Sequence, residues 1–101
     1  MLRHETEMAH LEAWFAAVCE TAREDRALAA ELLANYRLIK GYSDTHARGL
    51  SKFAKVMGAR ALLRGRADAA DWMRRLRAAA LDDVAGDKLD GALLTVRSFA
   101  E

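Results

Sequence analysis

The sequence predicts an all-α fold, a compact bundle of about five antiparallel helices in a single domain spanning residues 1–101. Three observations carry that expectation. There is no proline in the chain, β-branched residues are few, and apolar side chains recur at three- and four-residue spacing with no strand-like alternation. With 52% hydrophobic residues in 101, one core is expected, burying roughly two-thirds of the surface an unfolded chain of this size exposes. Helix breaks must then come from glycine and from capping side chains.

The first predicted helix runs from about Glu5 to Ala22, with Met8, Leu11, Trp14, Phe15, Val18 and Cys19 as its apolar face. Thr21-Ala22-Arg23-Glu24 has capping-box spacing and Asp25 is a second candidate cap, so a break is expected there. A second helix, about Asp25 to Lys40, places Leu28, Leu32, Leu33, Tyr36 and Ile39 on one face. The third, about Thr45 to Arg64, buries Leu50, Phe53, Ala54, Met57 and Ala61 and closes at Gly65. Asp68 caps a fourth, whose stripe is Ala69, Trp72, Met73, Leu76 and Ala80. Asp82 and Asp83 interrupt the pattern before a fifth helix with Leu89, Leu93, Val96 and Phe99.

Charge is unevenly placed. Residues 1–35 carry three basic and seven acidic side chains, residues 36–77 eleven and three, and residues 78–101 two and five, giving −4, +8 and −3. A basic middle can pack between acidic ends, or it can form a face that receives an acidic protein or an anionic, phosphate-bearing ligand. Arg60, Arg64, Arg66, Arg74, Arg75 and Arg77 surround Trp72, but Asp68 and Asp71 interleave and Trp72 falls on the apolar stripe, so no nucleic-acid partner is expected. No apolar run reaches the roughly 20 residues of a membrane span, and the N-terminus lacks a signal-peptide core, so the expectation is a cytoplasmic protein with no membrane partner.

Chemistry-bearing patterns are sparse. Cys19 stands alone among apolar residues and reads as a buried, inert thiol. His4 and His10 are six residues apart, about 120° from alignment on a helix, so no metal site is expected. There is no Gly-rich phosphate loop, no GxSxG and no CxxC, and no catalytic residues are assigned. One stretch stands out, LIKGYSDTHARGL at residues 38–50. Lys40 and Gly41 suit a helix end, Tyr42 can fold back on Tyr36, and Ser43 or Asp44 can cap the next helix. His46 and Arg48 have no such local duty. With Arg37 and Lys40 they could hold a small anion at the helix start, or they could contact another protein surface.

The run Arg37-Leu38-Ile39-Lys40-Gly41-Tyr42-Ser43-Asp44-Thr45-His46-Ala47-Arg48-Gly49-Leu50 resembles the "RL-[IV]-KGYGDTH-x-RG" block in the C-terminal helical region of the large B subunit of indolepyruvate oxidoreductase-type enzymes, members of the 2-oxoacid:acceptor oxidoreductase family. Glu12-Ala13-Trp14 is similar to that region's "E-x-W" helix, and Leu76–Leu81 to its tail; Ser43 stands where the family has glycine. The resemblance implies an enzyme complex that oxidatively decarboxylates aryl 2-oxoacids such as indolepyruvate to the acyl-CoA. Its implied cofactors are thiamine diphosphate, Mg²⁺ and iron–sulfur clusters in the parent complex. This chain has neither a GDG-type motif nor a cysteine array, so no cofactor is expected in it. It is therefore expected to be a detached, non-catalytic helical domain. It would dock against other domains or subunits of the oxidoreductase through Lys40, Tyr42, Asp44, His46 and Arg48. A detached domain can also pair with a second copy through an apolar face that the full enzyme covers.

Overall fold

The computed structural model describes the backbone of residues 2–40, 46–82 and 86–100, with side chains throughout except those of 2–8, 10, 39–40 and 46–51. Among the described residues every regular element is a helix: α1 (Leu2–Ala22), α2 (Arg26–Ala34), α3 (Arg37–Lys40), α4 (His46–Gly58), α5 (Arg60–Leu63), α6 (Ala69–Asp82) and α7 (Asp87–Ala100). Five are of nine residues or more, and α3 and α5 are single turns. The architecture is the expected all-α bundle.

The α1–α2 break falls where the capping residues placed it. The N–H groups of Glu24 and Asp25 donate to the Thr21 carbonyl, and the extended Asp25 accepts the Leu28 N–H on its carboxylate at 3.0 Å, satisfying one orphan donor of α2. Asp25→Ala should lower the unfolding free energy by about 1 kcal/mol, read from chemical denaturation midpoints at unchanged slope.

The second predicted helix is interrupted. After α2 the bonds tighten to three-residue spacing, Asn35 N–H to Leu32 O, Tyr36 to Leu33 and Leu38 to Asn35, before α3 resumes. The cause is tertiary. Asn35 is fully buried, its amide nitrogen donating to the sulfurs of Met57 (3.4 Å) and Met73 (3.5 Å) and its oxygen accepting from Arg77 (3.4 Å). The third predicted helix breaks likewise at Ala59, whose N–H donates to Val56 O, so α4 and α5 replace one long element. Gly65 then ends α5 at φ +85°, the left-handed closure its position predicted.

That break moves the buried stripe of the segment. Phe53, Val56, Ala59 and Leu63 are buried, Met57 is half-buried, and Ala54 and Ala61, expected inside, are exposed; Leu50 lies outside the described side chains. In α6 the expected stripe holds, with Ala69, Met73, Leu76 and Ala80 fully buried and Trp72 half-buried. In α7, Leu89, Leu93 and Val96 are buried and Phe99 packs against them. Helix α6 lies at the centre, touching α2, α4, α5 and α7, while α1 covers α2 from outside. No helix among the described residues is long and apolar enough to cross a membrane.

Candidate functional site

The five residues singled out from the sequence fall in and around a connection between two helices. Tyr42 and Asp44, with the expected Gly41 closure, the Ser43 or Asp44 cap and the Tyr42–Tyr36 contact, lie outside the described residues; so do the side chains of Lys40, His46 and Arg48. By backbone, Lys40 ends α3 and His46 and Arg48 open α4. Both ends of the stretch are anchored. Leu38, its first residue, is fully buried, and Lys52 and Phe53 are buried just after it. The Lys52 ammonium donates to the Ala80 carbonyl at 2.9 Å, in the last turn of α6, where a cation also complements the helix dipole.

Immediately ahead of the stretch lies an apolar surface. Tyr36 is 37% exposed, Leu33 50% and Phe15 57%, although the helical rhythm placed all three inside. Trp14 ties two of them together, its ring centroid 5.5 Å from Tyr36 and 6.3 Å from Phe15, and Leu33 lies one turn before Tyr36, whose N–H donates to its carbonyl. Its indole N–H donates to Leu32 O at 2.8 Å, which satisfies the polar tip and fixes the ring. The exposure follows from how α1 sits. Trp14, Val18 and Thr21 share the face that meets the bundle, and Phe15 and Cys19 lie one step, about 100°, around the helix. Cys19 is accordingly exposed, not the buried thiol its apolar neighbours suggested.

The basic middle of the chain is engaged partly with the acidic ends and partly with its own aspartates. Arg64 bonds Glu24 with two nitrogens, at 2.7 and 3.2 Å. Arg77 meets Glu31 at 2.6 Å, and Lys55 meets Asp90 at 2.9 Å. Arg66 pairs with Asp68 and stacks over Phe99 at 4.2 Å, while Arg74 and Arg75 both hold Asp71 and Arg75 lies 4.9 Å over Trp72. Glu24 raises the pKa of Arg64, chiefly by hydrogen bonding. Arg66 lowers that of Asp68 by the same means, so this carboxylate stays ionised further into acid than an isolated one. Among the described residues no three His, Cys, Asp or Glu side chains converge on a point that could hold a metal ion.

Residues 1–59 match the model of a family described as a family of unknown function, DUF6537. The chain belongs to this family. No curated protein and no solved structure matches it. The DUF6537 segment takes in α1 to α4, and with them both the apolar surface and the polar stretch. Its partners lie beyond it. Glu24, Glu31 and Lys55 of the DUF6537 segment reach Arg64, Arg77 and Asp90 of the remainder, and Asn35 reaches Met73 and Arg77.

Sequence reasoning missed the buried polar residues Thr21, Asn35 and Lys52. For Asn35 a signal existed, because Leu28, Leu32 and Asn35 continue one helical stripe at four- and three-residue steps. A polar residue on such a stripe needs partners, and Arg77 and the two methionines supply them.

Proposed function

We propose that this chain is a non-catalytic docking domain of an indolepyruvate-type 2-oxoacid oxidoreductase, holding catalytic parts together during oxidative decarboxylation. The carrying observation is the surface of Phe15, Leu33 and Tyr36 around Trp14, which runs directly into the stretch that resembles the oxidoreductase block. Exposed aromatic clusters of this kind, bordered by charged side chains, suit the centre of a protein interface. In this reading thiamine diphosphate, Mg²⁺ and the iron–sulfur clusters belong to the other parts of the assembly. Tyr42, Asp44, His46 and Arg48 give the contact its polar specificity, with Lys40 at its edge, and the work is cytoplasmic.

A basic face for an acidic protein or a phosphate is the other reading. It is the weaker one, because Arg64, Arg66, Arg74, Arg75, Arg77 and Lys55 already hold carboxylates within the chain.

Capture of the catalytic subunits of such an oxidoreductase by the immobilised domain tests the docking reading. Wild type should retain them. Phe15→Glu with Leu33→Glu, two changes at exposed positions, and separately Asp44→Ala with His46→Ala, should each reduce capture by about tenfold or more while the circular dichroism spectrum stays helical. Unchanged capture by both pairs, or no capture by wild type, overturns it.

A further inference from the structure

A groove of about 270 Å³ runs between α1 and the α4–α5 segment, away from the residues assigned to docking except for Trp14. Small residues line both rails one turn apart, Ala13 and Ala17 on α1 and Ala54 and Gly58 on α4, and Trp14, Phe53 and Met57 supply larger apolar walls. From Phe53 to Arg60 the groove extends about 10 Å at helical rise. Arg60 closes the end nearest Thr21.

Among the described residues the Arg60 guanidinium is the one charged group lining this groove, and its side chain is only 25% exposed. One of its nitrogens donates to Thr21 Oγ1 at 3.3 Å and lies 4.0 Å from a carboxylate oxygen of Glu20, itself 58% exposed. Its Nε and second terminal nitrogen bond nothing among the described residues. A guanidinium presents a planar fork of donors, and a carboxylate is the group that fills two of them at once. Apolar walls with an under-used cation at one end match an amphipathic anion.

We propose that this groove binds an unbranched monocarboxylate of medium chain length, the alkyl chain lying between α1 and α4 and the carboxylate on Arg60. The volume sits just below the range of small-ligand pockets and suits a chain of about eight carbons. Its run of about 10 Å along the two helices suits an extended linear chain. Glu20 is the internal competitor for Arg60, and its exposure lets it swing into solvent when the ligand arrives. The inference does not depend on the docking reading.

The test is a titration of the full chain with octanoate, below its micelle concentration, and with 1-octanol as the uncharged match. Trp14 fluorescence is followed in a Trp72→Phe background. Octanoate should give a saturable change and bind about tenfold more tightly than octanol, the margin a charge-assisted hydrogen bond supplies. Arg60→Met should erase that preference, Glu20→Gln should tighten octanoate, and Ala54→Phe, at an exposed position, should abolish both signals. No saturable change with octanoate, or a preference for octanoate that survives Arg60→Met, overturns the proposal. Subunit capture is unaffected by either outcome, so the two readings fail separately.

Discussion

Arg77→Ala should lower the unfolding free energy by about 2–4 kcal/mol, measured by urea denaturation at neutral pH. Arg77 is 11% exposed and makes three contacts at once: the Glu31 carboxylate at 2.6 Å, the Glu31 backbone carbonyl at 2.8 Å and the Asn35 amide oxygen. Truncation leaves Glu31, 26% exposed, as an uncompensated carboxylate, and it leaves the buried Asn35 oxygen without this donor. Removing one partner from a fully buried pair costs about 3–5 kcal/mol, and the residual solvent around Glu31 trims that figure. Arg77→Met combined with Glu31→Met should therefore lose less than Arg77→Ala alone, because neither charge then stays behind. A double mutant that is worse than the single would show that the network, not desolvation, dominates.

Leu76→Ala should cost about 3 kcal/mol and lower the melting temperature by roughly 12–24 °C in a domain of this size. Leu76 is fully buried at the middle of α6, the helix that touches α2, α4, α5 and α7, so no single neighbour can move in to fill the void. Leu94→Ala is the control. Leu94 is 66% exposed on α7 and should change stability by less than about 0.5 kcal/mol. Equal effects at the two positions would contradict the burial described for α6.

These contrasts mark what was legible in the sequence. In α6 and α7 the apolar residues are flanked by charged ones, so a single stripe could be drawn, and it is the stripe that is buried. Asp25 was legible as a cap because its chemistry is local. In α1 apolar residues surround much of the helix, and periodicity alone could not choose between Val18, which is buried, and Phe15 or Cys19 one step away. In the third predicted helix the expected stripe ran through Leu50, Phe53, Ala54, Met57 and Ala61, while Val56 and Leu63 offered a second one at the same helical rhythm. The break at Ala59 selected the one through Val56 and Leu63. The break at Asn35 depends on methionines and an arginine 22 to 42 residues away, which no local pattern encodes. The polar stretch itself stood out by composition, and its anchors at either end, Leu38 and Lys52, emerge only from packing.

The central position of α6 separates two ideas of a boundary. The family match ends at residue 59, yet a fragment cut there would strip Leu28 and Leu32 of the helix they pack against and leave Glu31, Glu24 and Lys55 without their ionic partners. Such a fragment would expose a long apolar flank and melt without a cooperative transition, whereas the chain through Ala100 should unfold in one step. The stretch that the family model matches is thus only part of what packs around one core.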